Sequence, residues 1–265
     1  MKSFDHEFRM VTGKNPRWVF ASVVGSHNYG TASEHSDVDM KMMYLPTFEE
    51  YYKNKFVRSS DGGAGAVIDF TCHPFHEYVK HSLKGNMNFW EVWFSPHLRF
   101  NRKMVEDHWF RSFQTRIMIA VRLNYLANFN ATRGMAIEKF KRFERKIHLP
   151  GEEKALTSLN VDRHNKEIQH AVRLLSFLLY YENERSISLE LSSKYNARYV
   201  SLRNNIKPIS VDRGSKMFHD LMDSVNAIEP RIASVNETMS SERKQYFDSI
   251  DEMVFELCQR RLYNV

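Results

Sequence analysis

The sequence predicts an α+β fold, in which a small mixed sheet with flanking helices precedes a predominantly helical region. Between about residues 17 and 70, strand-like segments alternate with glycine-rich turns. Beyond about residue 100, apolar residues recur at helical spacing instead. We therefore expect a small α/β unit over residues 1–100 and a helical domain over residues 101–265.

Three segments have the β-branched and aromatic residues that are typical of strands. The first, 17–24, stops at a glycine, and the second, 38–45, alternates and stops at a proline. The third, 66–71, is entered through a glycine-rich segment. Helices are expected before the first strand and over 48–55, 74–84, 104–129, 136–147, 163–182 and 240–262.

Composition places the chain among globular proteins that work in a reducing compartment. Hydrophobic residues make up 42% and charged residues 26% of the 265 residues. No apolar run approaches the roughly 20 residues that span a bilayer, and the N-terminus lacks the apolar stretch of a signal peptide. Cys72 and Cys258 form no CxxC pair. We expect a cytoplasmic protein without a membrane partner.

The formal net charge is +6 and the isoelectric point is about 9.2. This balance favours a polyanionic partner such as RNA, DNA or a nucleotide. The sequence does not indicate the oligomeric state.

The segment that indicates chemistry joins a Gly-Ser turn to a pair of aspartates. The first predicted strand ends at Gly25-Ser26, where backbone N–H groups and a hydroxyl can bind an anion. The second begins with Asp37 and Asp39, which strand alternation directs to the same side. Two such carboxylates repel each other unless a cation lies between them, and Mg²⁺ prefers oxygen ligands.

Asp69 is the candidate for a third carboxylate. It lies in the middle of an otherwise apolar predicted strand, where an unpaired aspartate is disfavoured. Asp-x-Asp, Gly-Ser or Asp69 would each be weak evidence alone, because turns, caps and ion pairs use the same residues. An EF-hand is excluded, because the sequence after Asp37 lacks the glycine and glutamate of that loop.

The segments 25–30 and 36–39 resemble the signature of the DNA polymerase β-type nucleotidyltransferases. Together with 44–46, they are similar to the predicted nucleotidyltransferases of the YcgL type, a group that includes the RNA-ligase-associated nucleotidyltransferases. The likeness continues at 84–91, 95–96, 166, 170 and 172–175.

This resemblance implies that residues 1–100 form a polymerase β-type catalytic domain with two Mg²⁺ or Mn²⁺ ions, and that the helical domain over residues 101–265 contributes to its cleft. Asp37 and Asp39 would bind both metals and Asp69 the catalytic one. Ser26, with Gly25 and His27 of the same turn, would hold the terminal phosphates of an NTP.

A second candidate group is the polar side of the predicted helix 163–182. On a helical wheel, Lys166, His170 and Arg173 lie roughly opposite an apolar stripe. From the spacing alone, a solvated cationic face is the favoured interpretation, but these residues also match the resembled family. The resemblance therefore implies contacts with a triphosphate or a nucleic-acid backbone.

A basic segment at 139–146 is a possible nucleic-acid contact, although its two phenylalanines have the spacing of a helix's buried edge. The aromatic residues are expected in the core. The candidate phosphate-contacting residues are Lys139, Lys141, Arg142, Arg145 and Lys146.

The resulting hypothesis is transfer of an NMP from an NTP to a hydroxyl acceptor, such as an RNA end, with release of pyrophosphate. Two alternatives stay open at this point: a non-catalytic protein that binds RNA or nucleotides, and a transferase that modifies a protein. The base of the NTP is not indicated by the sequence.

Overall fold

The computed structural model describes residues 4–32, 36–56, 60–61, 68–145, 158–184, 202 and 207–263. Its strands are β1 (Trp18–Val23), β2 (Val38–Tyr44), β3 (Ser60–Asp61), β4 (Ile68–Pro74) and β5 (Arg99–Phe100). Within the described residues these form one sheet in the order β3-β4-β2-β1-β5.

The sheet is mixed, as the sequence predicts. β1 pairs antiparallel with β2 and with β5, and β3 pairs antiparallel with β4. β2 and β4 are parallel neighbours, which requires a crossover between them. The three strands predicted from the sequence are confirmed as β1, β2 and β4, and the α+β fold class is confirmed with them.

One face of the sheet is covered by helix α1 (Asp5–Thr12). Phe8 and Val11 of this helix pack against alternate residues of the strands. The strand side chains of this core are Ala21, Val23, Val38, Met40, Met42, Tyr44, Phe70 and Cys72. Strand alternation places the residues between them, including Asp39, on the opposite face.

The opposite face is covered by aromatic side chains. Phe20 of β1 lies within 5.3–6.1 Å, ring centre to ring centre, of its aromatic neighbours. These come from α4 (Phe75–Leu83), a 3₁₀ segment (Glu91–Phe94) and α6 (Asp107–Leu123). In the aromatic run at 89–94, Trp90 and Trp93 are fully buried.

Three short helices follow turns of the first hundred residues: α2 (Gly25–Asn28), α3 (Phe48–Lys53) and α5 (Met87–Trp90). α3 begins with a capping box, in which the Thr47 hydroxyl accepts from the Glu50 amide and the Glu50 carboxylate accepts from the Thr47 amide. It ends at Asn54 in the left-handed conformation.

The helices after α6 are α7 (Tyr125–Arg145), α8 (Ser158–Glu184), α9 (Val211–Thr238) and α10 (Ser240–Tyr263). The prediction of a single helix over 104–129 is wrong, because the helix is interrupted at Asn124. The side-chain amide of Asn124 donates to the Leu83 carbonyl at 2.6 Å. The short helix expected at 136–147 is part of α7. Helix α9, which contains Pro230, was not among the helices predicted from the sequence.

The chain forms two compact units, residues 1–124 with 239–265 and residues 125–238. This division differs from a boundary at residue 100, because α6 and α10 belong to the same unit as the sheet. Among the described residues, none of the helices combines the length and the apolar character needed to cross a membrane.

Candidate active site

Asp39 and Asp69 are paired residues on neighbouring parallel strands. Paired residues direct their side chains to the same face, and neighbouring strands lie about 4.8 Å apart. Both aspartates are half-buried. Like charges directly opposite each other are destabilising, and oxygen ligands of this kind suit a hard divalent cation. The donor set therefore fits Mg²⁺ or Mn²⁺.

Gly25 lies directly against the carboxylate of Asp39. Its φ is +65°, and a Cβ atom built on it would lie 2.3 Å from Asp39 Oδ2. The next residue back, Val24, donates its backbone N–H to the Asp39 carbonyl at 2.9 Å. A side chain at position 25 would displace the carboxylate, so glycine is required here by space as well as by conformation.

Asp37 precedes the first residue of β2 and is exposed. Within the part of the chain that the structure describes, no group of three or more His, Cys, Asp or Glu side chains could hold a metal ion. The structure thus makes Asp39 and Asp69 neighbours but does not bring Asp37 into a three-carboxylate group. The three-aspartate metal site stays a prediction.

The phosphate-binding prediction falls on the turn 25–30, which begins with α2. The Tyr29 amide donates to the Gly25 carbonyl at 3.1 Å, and the Thr31 amide donates to the Ser26 carbonyl at 2.8 Å. α2 is one turn long, so its first N–H groups have no acceptor within the helix. Ser26 is half-buried. N–H groups and a hydroxyl of this kind can bind an anion, and phosphate binding by Gly25, Ser26 and His27 stays a prediction.

His27 faces protein at its ring. Its imidazole meets the ring of Phe4 edge to face, with centres 5.4 Å apart, and Phe4 meets His97 in the same way at 5.0 Å. Nε2 of His27 is buried without a hydrogen-bond partner among the described residues, so this nitrogen does not reach a phosphate in this conformation. Burial, with the nearby His27 and Arg99, lowers the pKa of His97.

A polar group that the sequence analysis did not identify lies on the same face of the sheet as Asp39. Lys41 is two residues further along β2, and its Nζ donates to Glu91 Oε1 at 2.9 Å. The hydroxyl of Tyr29 donates to the other oxygen, Glu91 Oε2, at 2.5 Å. Glu91 is only 4% exposed. A charged residue within the otherwise apolar run 89–94 was the feature of the sequence that could have indicated a functional role for Glu91.

The predicted basic residues of α8 belong to the second unit. Lys166, His170 and Arg173 are half-buried. The apolar side is confirmed by Ile168 and Leu175, which are fully buried. No contact of these basic residues with a nucleotide is tested by the structure.

In the basic segment of α7, the expected core packing of the phenylalanines is confirmed: Phe140 is 6% and Phe143 0% exposed. Two of the cations form ion pairs, Lys139 with Glu167 at 3.3 Å and Arg142 with Glu138 at 3.2 Å. Lys141 and Arg145 are exposed, and Lys146 lies outside the described residues. Nucleic-acid contact by this segment stays a prediction.

A comparison with curated proteins finds no match for this chain. Residues 3–181, well over half of the chain, match the model of a family described as the RNA repair pathway DNA polymerase beta family. The adjacent carboxylates Asp39 and Asp69, with the Gly-Ser turn beside them, are consistent with that match. The chain therefore belongs to the RNA repair pathway DNA polymerase β family.

Proposed function

We propose that this chain is a nucleotidyltransferase that moves an NMP group from an NTP to a hydroxyl acceptor. The observation that carries the proposal is the pairing of Asp39 with Asp69 on parallel strands, with the turn at Gly25 in contact with Asp39. Membership in an RNA repair family supports an RNA end as the acceptor.

In this reaction the acceptor hydroxyl gives up its proton to water as its oxygen forms a bond to the α-phosphorus. The bond from that phosphorus to the oxygen that bridges to the β-phosphorus breaks, and pyrophosphate is released. Asp39 and Asp69 would hold a divalent cation, and Asp37 would complete the site for a second one. Such cations neutralise phosphate charge and assist the attacking and leaving oxygens. The residues of the chain contribute to the rate by orienting the NTP and the acceptor hydroxyl.

The turn 25–30 has a separate task, which is to bind the β and γ phosphates. The N–H groups at the start of α2, which have no acceptor within that helix, and the Ser26 hydroxyl would donate to phosphate oxygens. Because Gly25 has no side chain, the turn lies close to Asp39. This closeness would place the triphosphate beside the carboxylates. Lys166, His170 and Arg173 remain proposed contacts of the triphosphate or of RNA.

The test is incubation with each α-³²P-labelled NTP and Mg²⁺, with and without RNA, for the wild type and for Asp39→Asn and Asp69→Asn. We expect label to enter RNA and both variants to lose at least about 100-fold in rate, the scale of removing one preorganised contact to the reacting group. Asp248→Asn serves as the control, because Asp248 is an exposed aspartate of the same compact unit.

Other outcomes decide between the alternatives. Label entering protein in place of RNA would replace the RNA acceptor with a protein acceptor. If calorimetry shows NTP binding with Mg²⁺ but no label moves to any acceptor, the chain is a nucleotide-binding protein without this activity.

A further inference from the structure

The carboxylate of Glu91 joins two parts of the candidate active site. It is 4% exposed and lies in the 3₁₀ segment that covers the face of the sheet bearing Asp39. One oxygen accepts from Lys41 Nζ at 2.9 Å and the other from the Tyr29 hydroxyl at 2.5 Å. A carboxylate this buried is costly unless both oxygens are paired.

The contact of Glu91 with Tyr29 fixes the turn 25–30. Tyr29 is 8% exposed, and its amide closes the turn by donating to the Gly25 carbonyl at 3.1 Å. A bond from its hydroxyl to Glu91 therefore anchors the end of the turn to a separate element. A hydrogen bond to a charged acceptor is stronger than a neutral one.

The contact of Glu91 with Lys41 controls a positive charge near the aspartates. Lys41 lies on the same strand face as Asp39, and its stem of four carbons is long and flexible. The Lys41 ammonium also donates to the backbone carbonyl of Asn88. Held by these two acceptors, the ammonium is directed toward Glu91 and the Asn88 carbonyl.

We propose that Glu91 is a positioning residue of the candidate active site, which anchors the turn 25–30 through Tyr29 and holds the charge of Lys41 away from Asp39 and Asp69. The consequence for catalysis rests on the proposed function. The anchoring itself is a property of the chain without any ligand, so the two can be tested separately.

The anchoring is tested by amide hydrogen exchange of residues 25–31 in nucleotide-free, metal-free protein. Tyr29→Phe removes one hydroxyl, and we expect exchange of the turn to rise by about tenfold or more, as for loss of a hydrogen bond to a charged group. Tyr78→Phe is the matched control, because the buried Tyr78 hydroxyl has no hydrogen-bond partner among the described residues. Unchanged exchange in Tyr29→Phe would overturn the anchoring.

The charge placement is tested by titrating Mg²⁺ in the transfer assay and Mn²⁺ by calorimetry. Glu91→Gln should raise the Mg²⁺ concentration needed for half-maximal rate by about tenfold, within the 10–100-fold range for outer-shell residues. Adding Lys41→Met should reverse most of this increase, because the released cation is then gone. An increase that persists in the double variant would refute competition by Lys41.

Failure of the two proposals is distinguishable. A wild type that transfers no label, but whose turn loses protection in Tyr29→Phe, would refute the proposed function and leave the anchoring intact. A wild type that transfers label, with no effect of Glu91→Gln on either exchange or the metal requirement, would overturn the role of Glu91 alone.

Discussion

Gly25→Ala should disable the candidate active site and destabilise the unit that contains it. The new methyl group would lie 2.3 Å from Oδ2 and 3.1 Å from Cγ of Asp39. Both distances are shorter than ordinary van der Waals contact, so the carboxylate must move. The turn cannot relieve this contact at no cost, because its backbone at position 25 has a φ of +65°.

The size of the effect follows from two contributions. A non-glycine residue in the left-handed region costs about 1–2 kcal/mol, and overpacking adds about 1–3 kcal/mol. We therefore expect a loss of about 2–5 kcal/mol in the free energy of unfolding, at the upper part of the range for local strain and packing defects. A displacement of about 1 Å at a reacting group can cost about 100-fold in rate.

Stability is measured by urea unfolding followed by tryptophan fluorescence, because Trp18, Trp90, Trp93 and Trp109 all lie in the first unit. The transfer assay gives the rate. Gly134→Ala is the matched control: this exposed glycine of α7 would place its methyl group within 4 Å of no described atom outside its own turn. Its free energy of unfolding, measured by circular dichroism, should rise by about 1 kcal/mol because alanine has a higher helix propensity than glycine.

If Gly25→Ala kept the stability and the transfer rate of the wild type, the contact between position 25 and Asp39 would have no consequence for either. A loss of stability without a loss of transfer rate would show that the turn is strained but that the position of Asp39 does not limit the reaction.

Two further predictions concern the second unit. Gly214→Ala places a methyl group 2.4 Å from the fully buried ring of Phe143. It should lower the free energy of unfolding, measured by circular dichroism, by about 1–2 kcal/mol, because overpacking costs more than helix propensity gains. A gain in stability equal to that of Gly134→Ala would contradict this prediction. The hydrogen bonds from Arg133 to Glu229, at 2.6 and 2.9 Å, lower the pKa of Glu229 below its ordinary value of 4.5. Their contribution is present above pH 4.5 and lost as the pH falls through the lower folded value, so Arg133→Met should flatten the acid part of the stability profile, by less than about 1 kcal/mol because the pair is partly exposed.

The strands and the aspartates could be predicted because their signals are local. Alternation and β-branched residues mark β1, β2 and β4 within a few residues of their bounds. The placement of Asp39 beside Asp69 required more than this, since parallel pairing joins segments that are 30 residues apart. Spacing alone indicates two acidic strands but not their register.

Helix boundaries were less predictable, because distant contacts decide them. The residues on both sides of Asn124 continue a helical pattern, and the break there comes with a hydrogen bond to Leu83, 41 residues earlier. α9 was missed because it contains Gly214 and Pro230, which are unfavourable in helix interiors. Packing of Phe140 against Phe218, with ring centres 4.0 Å apart, helps to stabilise it.

By itself, the sequence determined the strand-forming segments, the glycine at position 25 and the acidic residues that follow it, because these depend on conformational preferences and charge within a few residues. Only the tertiary structure decided which groups meet. Glu91 contacts Tyr29 and Lys41 across 62 and 50 residues of chain. No local pattern encodes these contacts, because the side chains come together only when this face of the sheet is buried. The buried Glu91 carboxylate then needs a hydrogen-bond partner for each of its oxygens.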